Sequence, residues 1–140
     1  MWTYATIGMA QPGDACLIEL HLYSPREADE HVELLFATAH YHRTKASLGL
    51  WHTVNFGRPW LDGSACDHGF ISLPYLDGES LEILNAHQGR VNFYWLIPIQ
   101  PEELAYRAWH GVEALEQAFE KGPFNYLDPA RPSVVPPPGH

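Results

Sequence analysis

Nine histidines and two cysteines in a chain of 140 residues raise the question of a metal centre first. His40 and His42 lie two apart in a segment of helical periodicity, and that spacing points the two rings to different faces, because a shared face needs a spacing of three or four. The loop at 58–68, RPWLDGSACDH, and the strand-like run before it offer His52, Asp62, Cys66, Asp67 and His68, all ligand types that zinc accepts. The paired spacings of zinc sites are absent, and hydrogen bonds from polar loop side chains to backbone account for the same residues, so no metal is expected.

Nucleophilic chemistry would need Cys66 activated by His52 or His68, as a thiol and base of a metal- or thiol-dependent hydrolase. No local signature accompanies the three residues, and neighbours in sequence rarely present converging side chains. Ser64 lacks the Gly-x-Ser-x-Gly turn that exposes a serine nucleophile. Asp62 with Asp67, or Glu102 with Glu103, could act as an acid and base pair; the second pair is accounted for by the positive end of a helix that starts there. There is no phosphate-binding loop and no dinucleotide fingerprint. The chain therefore reads as a protein without catalytic residues and without a cofactor.

The strongest structural signal lies at 91–122. Val91, Phe93, Trp95, Ile97 and Ile99 share one side of a strand while Tyr94 and Leu96 occupy the other, so both faces are apolar and the strand is an interior one. Pro98 marks its end, and Pro101 opens a helix whose apolar stripe runs Leu104, Ala108, Val112, Leu115, Phe119, with Gly122 as the stop and Pro123 beyond it. Upstream, 4–8 and 16–23 read as a hairpin around Pro12-Gly13-Asp14, with Cys16, Ile18, Leu20 and Leu22 on one face. Ser24 as N-cap, Pro25 and Glu27 predict a helix to about Tyr41 that buries Ala28, Val32, Leu35, Phe36 and Ala39 and leaves Arg26, Asp29, Glu30 and Glu33 wet. A strand-like run at 50–57, strands at 70–76 and 81–84 around Asp77-Gly78, and a turn at 87–90 complete the order. Such non-alternating order predicts an α+β fold, a mixed, largely antiparallel sheet packed by two main helices.

Length and an apolar content of 46% fit a single domain over 1–135. The Pro-rich tail at 136–140 cannot add to a core and is expected to be disordered. Seventeen acidic residues against eight basic ones, the latter scattered, give a formal charge of −9 that would repel a phosphate backbone, so nucleic acid is not an expected partner. No apolar run approaches a membrane span, and the N-terminus has neither a basic n-region nor a continuous apolar h-region, which predicts a cytoplasmic location away from the membrane. Two widely spaced cysteines predict reduced thiols.

The ordered set Trp51-His52-Thr53-Val54-Asn55-Phe56-Gly57 with Pro59, Ile71-Ser72-Leu73-Pro74, the strand Phe93 to Ile99 with Glu102-Glu103-Leu104, His110-Gly111-Val112-Glu113-Ala114-Leu115, and Leu127-Asp128-Pro129-Ala130-Arg131-Pro132-Ser133-Val134-Val135 resembles the Suppressor of Fused-like domain in its compact bacterial form. The match covers Tyr4 to Val135 in order. That resemblance implies an α/β sandwich that binds proteins without catalysis: in bacteria a stand-alone immunity protein that neutralises a cognate toxin, in animals one lobe of a signalling scaffold that sequesters a transcription factor. Only one lobe is matched, so the animal partner's groove does not carry over. The resemblance also implies a helix and a strand upstream of the segment matching Tyr4 to Met9. The chain starts at Met1 and so reads as a truncated or minimal form, with a sheet edge or apolar surface left uncovered and open to homo-oligomers.

Aromatic residues in loops, Trp51, Trp60, Tyr75 and Phe124, lie next to or near Gly and Pro, where they either close the rim of the core or serve recognition. The loop 58–68 and the turn at 77–79 combine acids with aromatics: Trp60, Asp62, Asp67, Tyr75, Asp77 and Glu79 form the expected partner-binding set, with Trp60 as anchor and the acids as a charged rim.

Overall fold

A computed structural model describes residues 2–11, 14, 17–73, 83–86, 89–121 and 125–135. In chain order these form β1 (Trp2–Ala5), β2 (Ile18–Ser24), α1 (Asp29–Thr44), β3 (Thr53–Asn55), β4 (His68–Ser72), β5 (Ile83–Ala86), β6 (Gly89–Ile99), α2 (Pro101–His110) and α3 (Val112–Lys121). The expected residues Pro12, Gly13, Cys16, Tyr75, Asp77, Gly78, Glu79, Gly122, Pro123 and Phe124, the strand ends at 74–76 and 81–82, the turn residues 87–88 and the tail 136–140 lie outside the described residues.

β6 organises the sheet as its composition predicts. The order is β1-β2-β6-β4-β3, with β5 also on β6. β2 runs parallel to β6, Ile18 opposite Asn92 and His21 opposite Trp95, while β4 runs antiparallel from His68 opposite Ile99 to Ser72 opposite Trp95. β5 pairs antiparallel with the start of β6, Ile83 opposite Asn92, so β4 and β5 share one edge of β6 and β2 takes the other. All other pairings being antiparallel, the sheet is mixed and largely antiparallel, in an α+β fold. Because neighbouring residues of a strand point to opposite faces, β6 feeds two cores. Leu96 joins Ile18, Leu20, Leu22 and Ile71 under Leu34 and Leu35 of α1. Trp95, Ile97 and Ile99 join Phe70 under Leu115 and Phe119 of α3. Gly69 sits between the layers: a Cβ there would lie 2.6 Å from both Leu96 Cδ1 and Phe56 Cζ.

Both helical segments depart from the periodicity reading. α1 begins at Asp29 with Ala28 in the cap position and no side-chain cap. Ser24, the expected cap, instead ends β2; its Oγ accepts the Arg26 N–H at 3.3 Å and donates to the Arg26 carbonyl at 2.7 Å. The inward face of α1 is His31, Leu34, Leu35, Thr38 and His42. Of the expected stripe Ala28 and Leu35 are buried and Ala39 is partly so, whereas Val32 and Phe36 are 59% and 73% exposed. The polar members can point inward because each finds a partner: Thr38 Oγ1 donates to the Leu34 carbonyl at 2.8 Å, and His42 Nδ1 accepts the Leu48 N–H at 2.8 Å.

The second expected helix is two helices. Gly111 holds φ +94°, a conformation that only glycine adopts cheaply, and the chain turns there. The turn lets α3 lay Leu115 and Phe119 on the sheet while Leu104 and Val112 stay partly buried and Ala108 remains exposed.

Candidate functional site

The loop at 58–68 closes on itself. Trp60 N–H donates to the Cys66 carbonyl at 3.0 Å, Ser64 N–H to the Leu61 carbonyl at 3.2 Å and Cys66 N–H to Ser64 Oγ at 3.0 Å, around Gly63 at φ +82°. Its apolar residues turn inward. Trp60 is 2% exposed and its ring stacks on the fully buried His31, centroids 5.2 Å apart and planes 22° from parallel. The expectation of Trp60 as a surface anchor is therefore corrected: burying a large aromatic against α1 outweighs exposing it, and Trp60 holds the loop rather than presenting it. Asp62 stays exposed and borders a shallow depression with Arg26, Glu27, Asp29 and Glu30 at the start of α1. Asp67 is half-buried and its Oδ1 lies 2.8 Å from His68 Nδ1. Trp51 also departs from a free surface role. It is partly buried against Phe70 at φ +73°, its N–H bonded to the Ile71 carbonyl and its own carbonyl accepting from Arg107 at 2.7 Å.

His52, Cys66 and His68 do not assemble. Cys66 is 1% exposed and burial pushes its thiol up from the ordinary value, the opposite of thiolate activation. His52 Nδ1 accepts the Gly49 N–H at 3.0 Å and His68 is turned to Asp67. Among the described residues no three of His, Cys, Asp or Glu converge as a metal would need. His40 and His42 do face different ways, His40 exposed and His42 buried, where burial lowers its pKa.

Three polar groups with large structural roles escaped the sequence reading. Glu19, buried on β2, accepts Thr6 Oγ1 at 2.6 Å and the N–H groups of Gly8, Met9 and Ala10 at 3.0–3.2 Å, which fixes the chain after β1. Glu103 is fully buried and takes Arg131, the Gln100 N–H and the Val134 N–H; the helix dipole is thus not its whole explanation. His31 donates from Nε2 to Ser24 Oγ at 2.8 Å, since that hydroxyl's own proton is committed to Arg26, and its buried Nδ1 has no partner among the described residues, nor has Trp60 Nε1. The capping position of Glu103, three residues after Gln100, is the one signal of these that a sequence carries.

A groove of about 650 Å³ separates α1 from β1 and the segment after it, bounded by Tyr4, Ile7 and Met9 on one side and by Val32, Phe36 and Arg43 on the other. Ile7 at its rim is 98% exposed. Arg43 donates to both oxygens of Asp14 at 2.6 and 2.7 Å and holds that carboxyl down at about 2. Among the described residues no helix is long and apolar enough to cross a membrane.

A mixed sheet covered by helices on both faces, with the buried polar residues spent on structure, defines a class of α+β sandwich. The profile of Suppressor of fused protein (SUFU) matches residues 1–132, and the chain belongs to that family. A putative SUFU homologue from Neisseria gonorrhoeae FA 1090 is 37% identical with a TM-score of 0.83, over 96% of this chain and 70% of that one. A Sufu–Fu complex matches at 12% identity and TM-score 0.68, over 86% of this chain and 62% of that one. Drosophila Suppressor of Fused matches at 12% and 0.67, over 95% of this chain and 38% of its own length. These last two show the fold. No curated protein matches the chain significantly.

Proposed function

We propose that this chain is a non-enzymatic protein-binding domain of the cytoplasm, and specifically an immunity protein that neutralises a cognate basic toxin. The observation that carries the reading is the acidic patch where the loop 58–68 meets the start of α1: Asp62 is exposed beside Glu27, Asp29 and Glu30, four acids against the one cation Arg26 that lines the same depression, on a loop held by the buried Trp60, in a chain of net charge −9. Such a surface steers a basic partner and raises its association rate. Asp67 on the same loop is proposed with it, and Tyr75, Asp77 and Glu79, which lie outside the described residues, are proposed from the sequence alone as further partner-binding residues. Family membership supports protein binding, and a solved relative of this fold is a complex of Sufu with Fu.

The test is co-expression with the basic product of a toxin gene adjacent to this one. Growth should be restored by the parent chain, and Asp62→Lys should slow complex formation and flatten its dependence on salt. Failure of every neighbouring gene product to bind, with growth unrestored, would sink the immunity reading. Equal association rates for parent and Asp62→Lys at all ionic strengths would remove the loop from the interface.

A further inference from the structure

The exposed flank of α1 repeats at helical spacing: Asp29, Val32, Phe36, His40 and Arg43, at intervals of three, four, four and three, lie along one line of the helix. All five are exposed. The pattern is symmetric about Phe36 in position and antisymmetric in charge, acid at the N-terminal end and base at the C-terminal end, with the apolar pair between. Glu33, also exposed, is paired with Arg58 at 3.0 Å, which leaves Asp29 to carry the acid of the first end.

We infer that this flank docks a second copy of the same chain, with the two α1 helices antiparallel and Phe36 at the two-fold axis. Reversing the helix brings Asp29 of one copy opposite Arg43 of the other, twice, and sets the helix dipoles head to tail. Each Phe36 then faces the partner copy's groove between α1 and β1, whose rim carries Ile7. Charge complementarity decides the occupant. A uniformly basic partner would satisfy only the Asp29 end and a uniformly acidic one only the Arg43 end, whereas an antiparallel copy satisfies both. Arg43 already holds Asp14 and the Met9 carbonyl, yet its side chain is 41% exposed and reachable from the flank. The inference stands apart from the toxin reading and differs from pairing at the open edge of β1.

Sedimentation across a range of concentrations tests it. The parent chain should show a species of twice its 15.9 kDa mass, and Phe36→Glu should weaken the dimer by roughly tenfold or more, with the parent's melting temperature at concentrations where both chains are monomeric. Asp29→Lys and Arg43→Glu should each be monomeric alone, because each sets like charges opposite one another at both ends. Mixed, they should form a heterodimer, since the introduced lysine then meets the introduced glutamate at one end and the native pairing of Arg43 with Asp29 is kept at the other. A chain that is monomeric at every concentration overturns the proposal. So does a dimer that survives Phe36→Glu, or one abolished by Thr3→Pro alone, which would assign it to the edge of β1. If Arg43→Glu loosens the fold through Asp14, the comparison of Phe36→Glu with Asp29→Lys decides by itself.

Discussion

Glu103 and Arg131, 28 residues apart, face each other in the core as a bidentate pair, Nη1 donating to Oε2 at 2.8 Å and Nη2 to Oε1 at 2.7 Å. Arg131 also donates to the Pro98 carbonyl at 2.9 Å, and Glu103 accepts from Val134, so the pair ties the end of β6, the start of α2 and the segment 125–135 together. Glu103→Ala leaves a buried guanidinium uncompensated and should cost about 3–5 kcal/mol in two-state urea unfolding. The double change Glu103→Met with Arg131→Met should cost much less, because no charge is left unpaired. Equal losses for both would show that shape, and not charge, holds the segment.

Acid should destabilise the domain through His31. Its pKa is lowered from 6.5 to about 4, first by burial and then by Arg26, and among the described residues Nδ1 has no acceptor to receive a new proton's hydrogen bond. In the unfolded chain the imidazole protonates below about 6.5, whereas the folded chain refuses the proton until about 4. Stability from this group is therefore complete above 6.5, falls between 6.5 and 4, and is fully lost below that, for a total of about 3 kcal/mol. His42, also lowered, acts in the same direction, and Asp14, held near 2, acts only at lower pH. Denaturant midpoints from about pH 7.5 to about pH 4 should fall less steeply in His31→Gln than in the parent; parallel curves would remove His31 as the cause.

Trp60→Ala should lower stability by about 3–5 kcal/mol, since it empties the space between the loop and α1. Any loss of partner binding in that variant should track its unfolding. A variant with the parent's melting temperature and weakened binding would return Trp60 to the interface.

Gly69→Ala should cost about 1–3 kcal/mol, because the added methyl group would overlap Leu96, which is fully buried, and the Phe56 ring. The companion Phe56→Leu should recover part of the loss, as measured by thermal unfolding of the single and double variants. No recovery would place the strain elsewhere than at that ring.

The alternation along 91–99 determined by itself that this strand would be central, because a strand apolar on both faces has no stable place except between two layers, and the ordered motif set determined the family. The start of α2 at Pro101 was equally local, set by proline and by acid at the helix end. Where the chain's polar groups find partners was decided only in three dimensions. His31, Thr38 and His42 turn inward on α1 because Ser24 of β2 takes His31 Nε2 while partners within the helix and at Leu48 take Thr38 and His42, and the apolar Val32 and Phe36 turn out as a result. Glu103 is buried because Arg131 arrives from the far end of the chain, and Trp60 because His31 offers it a face. Periodicity ranks side chains by their cost of burial in isolation; a long-range hydrogen bond or stacked ring removes that cost, and only the folded chain brings the two partners together.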